Sequence, residues 1–338
     1  MGLTFEGWMR AFYDRFVAAV AMMTAAFLVA ACSNAPQLPP AEQPLSKETL
    51  MLLGKKGMEP GAPMFVRIFK EESELEVWKQ RDDGRYYHFK TYPICNWSGE
   101  IGPKQQQGDK QAPEGFYSVS AHQMNPSSQF YLAFNLGYPN AYDRAHGRTG
   151  DFLMVHGKCK SAGCYAMTDA LMEEIYALAR ESFKGAQPSF EVHAFPFRMT
   201  DANLARHKGH KWMPFWATLK QGHDHFEAHR LPPQVAVCEK RYVVNVKLPQ
   251  SKPDPTGYCP TFERPLLEPF VPKPSEQQIA SERITVPGPK TRTAVVTASD
   301  ASNGSIGGLL SGLGLGSGAA NPASGTQASQ PAQLGLNQ

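Results

Sequence analysis

The stretch from Phe152 to Tyr165 constrains the fold more than any other part of the chain. An apolar run, Phe152-Leu153-Met154-Val155, ends at His156-Gly157, and a polar loop then closes on Ser161-Ala162-Gly163-Cys164-Tyr165. A short apolar run stopped by glycine has the pattern of a buried strand. Beyond Cys164 the period changes. Thr168 or Asp169 supplies an N-cap, Leu171, Ile175, Leu178 and Phe183 recur at helical spacing, and Gly185 stops the helix. A strand passing through a short loop into a helix brings a histidine at a strand end near a thiol before a helix. Those are the parts of a cysteine acyl-transfer site.

Strand signals precede this unit. Met64–Phe69 is apolar and β-branched, Leu75–Trp78 alternates, and Arg81-Asp82-Asp83-Gly84 reads as a turn before Arg85–Ile94. Gly115–Ser120, Phe130–Leu136 and Asp151–Val155 read as further strands, and Ser46 opens a short helix through Leu50 and Leu53. After Gly185 the pattern predicts a strand over Phe190–Phe197, helices over Asp201–His207 and Trp212–His229, and a last strand over Arg241–Val246. The expected fold class is α+β, a mixed β-sandwich-like core with added helices, over residues 46–265. From about Pro269 the chain drifts into Pro, Ser, Gly, Ala and Gln, too poor in apolar residues to bury a core, so 266–338 is expected to be a disordered tail.

Residues 1–31 have the features of an export signal. Arg10 and Arg15 precede an apolar run from Phe16 to Ala31, and Val29-Ala30-Ala31-Cys32 resembles a bacterial lipobox with Cys32 as the acylated residue. A Pro-rich linker, 32–45, would hold the body away from such an anchor. The expected location is therefore the periplasm or cell envelope, as an outer-membrane lipoprotein attached to the membrane through lipidated Cys32, with a plain cleaved signal and a retained anchor as the alternatives. A net charge of +3 on 338 residues, with 19% charged, carries no dense basic stripe, and nucleic acid is not an expected partner.

Export changes how the remaining cysteines are read. Cys95, Cys159, Cys164, Cys238 and Cys259 are an odd set in a compartment where thiols pair, which leaves one over. Cys238 and Cys259 flank a strand-like segment and a Pro-rich turn and are a candidate disulfide. Cys159 and Cys164 would form a local disulfide in one alternative, and His156, Cys159 and Cys164 would be a zinc set lacking a fourth ligand in another. In the acyl-transfer reading, His156 is general base and acid, and Cys164 is the nucleophile. The amides of Gly163 and Cys164 point at a developing oxyanion, and the nearby helix N-terminus lowers the thiol pKa.

The motifs then take on a family likeness. His156-Gly157 followed by Ser161-x-Gly163-Cys164, preceded by Gly108-x-x-x-x-Pro113-x-Gly115-x-Tyr117, resembles the L,D-transpeptidase (YkuD) family of exported peptidoglycan enzymes. Phe134 to Arg144, Gly163 to Asp169, Tyr92-Pro93-Ile94-Cys95 and Met213-Pro214-Phe215-Trp216 are similar to its YafK-like subgroup. The resemblance implies a Cys164 thioester at a diaminopimelate carbonyl, with Gly163 in the oxyanion turn and Ser161 shaping the loop. The implied substrates are peptidoglycan stem peptides, and the subgroup implies hydrolysis of the link to a covalently attached outer-membrane lipoprotein. Formation of 3-3 cross-links, or a non-catalytic wall-binding module, are the alternatives. Ala162 replaces the usual histidine and Ala166 the usual arginine, and the loop from His156 to Cys164 is shorter than the family's.

The loop Tyr138, Asn140, Arg144 and Arg148 is polar and aromatic and lies just upstream, so these four are candidates for substrate binding, the arginines for a carboxylate. His207 and His210, and His223, His225 and His229, share helix faces without a completing carboxylate or cysteine, and read as solvated side chains. Trp212 and Trp216 read as core or groove lining. No metal and no cofactor is expected.

Overall fold

A computed structural model describes residues 5–32, 38–249 and 251–272. In chain order the elements are α1 (Phe5–Cys32), α2 (Lys47–Lys55), β1 (Met64–Phe69), β2 (Glu74–Gln80), β3 (Tyr86–Pro93), β4 (Asn96–Trp97), β5 (Gly115–Ser120), β6 (Met124–Ser128) and β7 (Tyr131–Asn135). There follow α3 (Ala141–Ala145), β8 (Met154–His156), β9 (Tyr165–Ala166), α4 (Asp169–Lys184), β10 (Ser189–Phe195), α5 (Asp201–Arg206), α6 (Met213–His229), β11 (Val235–Cys238) and β12 (Arg241–Val244). Two five-stranded sheets, ordered β3-β2-β1-β10-β5 and β4-β9-β8-β7-β6, carry the architecture, with β11-β12 as a separate hairpin. The fold class is mixed α+β, as the sequence leads one to expect.

All six residues of β1 are buried because its sheet is covered on both faces. Val66 and Ile68 share a core with Leu132, Phe134 and Val155 of the second sheet and with Met172, Ile175 and Leu178 of α4. Their odd-numbered neighbours turn the other way. Phe65 packs with Phe226 of α6, and Phe69 joins Phe195, Phe215 and Trp216. A two-faced burial produces an unbroken apolar strand rather than an alternating one. Arg67, at the centre of β1, is tolerated there because its guanidinium meets Glu76 at 3.0 Å and Glu227 of α6 at 2.6 Å.

The helix after the catalytic loop forms for the reasons its sequence offers. Thr168 caps α4 by accepting from the Leu171 amide at 3.4 Å. Met172, Ile175, Tyr176, Leu178 and Ala179 make one buried face, each large side chain contributing about 2 kcal/mol by burial.

The folded body is wider than 46–265. Arg180 of α4 donates to the Ala41 and Gln43 carbonyls at 2.6 and 2.9 Å, and Leu45 is buried, so the end of the Pro-rich linker lies on the body. At the other end the Phe270 amide donates to the Ala228 carbonyl at 2.7 Å. Linker residues 33–37 and tail residues 273–338 lie outside the described residues. Cys32 is the last residue of α1. Among the described residues no helix is long and apolar enough to cross a membrane.

Candidate active site

Parallel pairing of β8 with β9 puts Val155 opposite Tyr165 and His156 opposite Ala166. Side chains alternate across a strand, so Ala166 and Cys164, two residues apart, face the same side as His156. The pair thus falls on one face of the second sheet, His156 buried and Cys164 partly buried. The Met154 amide donates to Cys164 Sγ at 3.4 Å, and the thiol is directed at the Phe152 carbonyl at 3.6 Å. His156 Nδ1 lies 2.7 Å from the Gly157 carbonyl. A carbonyl only accepts, so Nδ1 carries the hydrogen and Nε2 of the neutral ring is left bare as a base.

The loop between them is pinned at several points. Cys159 is bonded to Cys95, 64 residues earlier in the chain, which rules out both the Cys159–Cys164 disulfide and the zinc set. Cys238 and Cys259 form a second disulfide, so of the five cysteines between residues 38 and 272 Cys164 is the free one. Among those residues no group of three or more His, Cys, Asp or Glu is placed to hold a metal ion. Ser161 clamps the turn from inside. Its hydroxyl donates to the Cys164 carbonyl at 2.7 Å and accepts from the Gly163 amide at 3.3 Å. Gly163 adopts φ +131°, where an L side chain is strained, which accounts for glycine before the nucleophile. Gly157 is required by close approach, since a Cβ there would come within 2.5 Å of Asp169 Oδ1 and 3.0 Å of the Phe130 carbonyl.

Two expectations about the thiol need correcting. The Gly163 amide is turned onto Ser161, so of the two amides expected to face an oxyanion only that of Cys164 is left without a partner among the described residues. Strand β9 also separates Cys164 from the first turn of α4, removing it from the short range of the helix terminus. Burial pushes the thiol above its ordinary value, a shift the Met154 amide and the Lys104 ammonium only partly oppose. Burial likewise holds His156 below the usual imidazole value, against the Gly157 hydrogen bond. Near neutral pH the pair is therefore a neutral thiol and a neutral imidazole, not a preformed ion pair. Iodoacetamide alkylation of Cys164 should accelerate only above the ordinary thiol range; a rate already at plateau at neutral pH would overturn this.

The four expected substrate-binding residues do not converge on Cys164. Arg148 is buried, pairs with Asp143 at 2.8 Å and stacks over the Tyr142 and Phe215 rings. Asn140 caps α3, accepting from the Asp143 amide at 2.9 Å and donating to the Phe116 carbonyl and Tyr242 hydroxyl. Tyr138 is buried, its hydroxyl donating to the Lys104 carbonyl at 3.2 Å. These three hold structure. Arg144 is exposed, but it lines a groove of about 500 Å³ with Glu191, Tyr242 and Lys252 that contains neither His156 nor Cys164. The helix histidines are likewise occupied: His207 meets Glu71 and stacks on Phe197, and His210 stacks on Trp216. Trp216 is core, its indole donating to Glu114.

The sequence motifs assign no site role to Phe130, whose ring lies 4.7 Å from that of His156, or to Phe152, whose carbonyl faces the thiol. Nor do they give a role to Tyr165, whose hydroxyl donates to the Pro113 carbonyl at 2.5 Å and so ties the residue after the nucleophile to the Gly108–Tyr117 motif.

Residues 65–187, which include His156 and Cys164, match the L,D-transpeptidase catalytic domain (YkuD). The YafK protein of Escherichia coli (strain K12) is 49% identical over 188 residues, covering 56% of this chain and 76% of that protein. The chain belongs to the L,D-transpeptidase family. This L,D-transpeptidase-family chain also aligns with the crystal structure of the helical cell shape determining protein Pgp2 from Campylobacter jejuni. There the identity is 22% and the TM-score 0.31, over 43% of this chain and 54% of that one. A point mutant of Pgp2 gives 18% identity and a TM-score of 0.33 over 57% and 66%. Membership places the chain in a class of acyltransferases of the bacterial cell wall.

Proposed function

We propose that the chain is a cysteine amidase of the cell envelope that releases a covalently attached outer-membrane lipoprotein from peptidoglycan. Cys164 attacks the diaminopimelate carbonyl as His156 Nε2 takes the thiol proton, and the same proton then passes to the departing lysine amine. The carbonyl carbon is left as a Cys164 thioester, which water hydrolyses to restore the thiol and leave a free carboxylate. The Cys164 amide is the donor available to the oxyanion. Residues 1–31 as export signal, lipid on Cys32 and a catalytic domain spanning the body between a linker and a C-terminal tail complete the reading.

One observation carries the proposal: the free thiol shares a sheet face with a histidine whose Nε2 is bare. Ala162 and Ala166, where the family usually has histidine and arginine, favour hydrolysis over cross-linking, because Ala166 leaves no cation opposite His156 for an acceptor stem carboxylate. The second reading, transpeptidation, needs such an acceptor.

The test is to incubate the protein with purified sacculi that retain covalently bound protein and analyse muropeptides by mass spectrometry. Loss of muropeptides carrying lysine-containing remnants is the expected result. New diaminopimelate–diaminopimelate cross-links would replace hydrolysis with transpeptidation, and unchanged muropeptides would leave only wall binding.

A further inference from the structure

The strands that carry the catalytic pair are too short to hold it by themselves. β4 and β9 have two residues each and β8 has three, and they lie side by side at one edge of the second sheet in the order β4-β9-β8. β9 meets each neighbour through Tyr165 and Ala166 alone. Pairing this short is marginal without further support.

A covalent bond crosses the same place. Cys95 immediately precedes β4, Cys159 lies in the loop between His156 and Cys164, and the two form a disulfide. The Cys95 amide donates to the Ala166 carbonyl at 2.9 Å and the Cys159 amide to the Met167 carbonyl at 3.1 Å, so the two halves of the cystine grip consecutive residues at the end of β9. The Met167 amide in turn donates to the His156 carbonyl at 2.6 Å. The two segments meet again where Ser98 Oγ lies 3.2 Å from Ser161 Oγ, and Ser161 holds the Gly163–Cys164 turn. A chain of bonds thus runs from His156 through Met167 and the cystine to the segment that supports Cys164. The loop itself is strained. Lys158 and Cys159 hold φ +62° and +48°, two consecutive left-handed residues that both carry a Cβ. Such backbone persists only where its surroundings over-determine it.

We infer that Cys95 and Cys159 are positioning residues for the reaction, and that their disulfide makes turnover depend on the redox state of the chain. The inference rests on the proposed function for what is turned over. A dithiol reductant passes two electrons and two protons to the cystine, leaving Cys95 and Cys159 as thiols and itself closing to a disulfide. The hydrophobic clusters on the two faces of the first sheet include neither cysteine, so the body stays folded. His156 and Cys164 lose their common frame, although Cys164 is chemically unchanged. Reductant therefore acts against the usual direction. An unbraced thiol nucleophile is preserved by reductant, which reverses its oxidation to sulfenic acid or mixed disulfides, whereas this protein loses activity.

The test titrates the full chain with dithiothreitol and follows turnover of a diaminopimelate stem peptide amide-linked to a lysine peptide. Alkylation and mass spectrometry identify which cysteines are reduced at each step. As Cys95 and Cys159 become free, kcat should fall about 10²-fold with KM little changed, the scale set by a small displacement of a catalytic group. Reoxidation should restore it. Cys95→Ser with Cys159→Ser should start at the reduced rate and ignore the reductant, and Cys238→Ser with Cys259→Ser should keep both the rate and the response. Unchanged turnover while Cys95 and Cys159 are reduced, or a response that disappears with the second disulfide, would overturn the inference. Hydrogen exchange reads the brace without substrate. On reduction the Cys159 and Met167 amides should exchange at least about tenfold faster, while the Met172 amide of α4 keeps its protection; equal protection in the two states would also overturn it. An oxidised chain that turns over no substrate but shows this exchange difference would count against the amidase and leave the brace standing.

Discussion

Cys164→Ala should lower release of wall-bound polypeptide by at least about 10³-fold, with the fold intact. The magnitude follows from removing a nucleophile that nothing else replaces, since neighbouring groups retain only the residual catalysis of binding and oxyanion donors. Fold retention is expected because Sγ makes only long contacts, 3.4 Å from the Met154 amide and 3.6 Å from the Phe152 carbonyl. His156→Gln should cost about 10²- to 10⁴-fold, the usual range for losing a positioned proton carrier. The pH dependence separates the two roles. Burial holds the imidazole below its ordinary value, so it stays neutral, and a competent base, down to a pH lower than a solvated histidine would allow. The unsubstituted protein should therefore keep kcat/KM level through neutral pH and lose it only as His156 protonates. In His156→Gln the reaction must wait for free thiolate, whose formation burial moves upward. That variant should gain activity continuously into alkaline pH. A Cys164→Ala protein that still releases polypeptide, or an unchanged profile in His156→Gln, would remove these residues from the chemistry.

Much of this was visible in the chain because the decisive signals are local. Met64–Phe69 and Gly115–Ser120 occupy the strands expected of them, and Thr168 and Gly185 bound α4. His156 and Cys164 were marked by their motif. What escaped depends on distant partners. Strands β4 and β9 are two residues each, too short for any period to register, and β6 contains Pro126. Arg148 reads as a free cation near the site until Phe215, far along the chain, closes over it. The Cys95–Cys159 pairing crosses 64 residues and could not be chosen over its rivals by spacing. The expected lowering of the thiol pKa failed for the same reason: the helix start is close in sequence, but β9 intervenes and burial governs.

Lys70→Met should destabilise the protein by about 3–5 kcal/mol and carry the active site with it. Lys70 and Glu114 are both fully buried, Nζ to Oε1 at 3.0 Å. Lys70 also donates to the Gly102 and Ala112 carbonyls at 2.8 and 2.9 Å. Glu114 accepts from the Gly102 amide at 2.6 Å and the Trp216 indole at 2.9 Å. Removing the lysine leaves a carboxylate in the interior with neutral donors only, and breaking one side of a buried pair costs far more than the pair is worth net. Lys70→Met with Glu114→Gln should recover part of the loss, because no uncompensated charge remains. Urea denaturation followed by tryptophan fluorescence reads both; a single-variant loss under about 1 kcal/mol would mean the pair is not what holds this region. The consequence reaches the nucleophile through the neighbouring residue. Pro113, adjacent to Glu114, gives its carbonyl to the Tyr165 hydroxyl, and Tyr165 follows Cys164 directly. The Gln111 carbonyl in the same segment lies 3.7 Å from the point where a Cβ on Gly163 would sit. Loosening the 102–114 segment thus frees both flanks of the Gly163–Cys164 turn. Turnover of Lys70→Met should accordingly fall at temperatures well below its midpoint of unfolding, and by more than the small unfolded fraction explains. The Gly108–Tyr117 motif then has a physical role: it holds the backbone of the nucleophile in place.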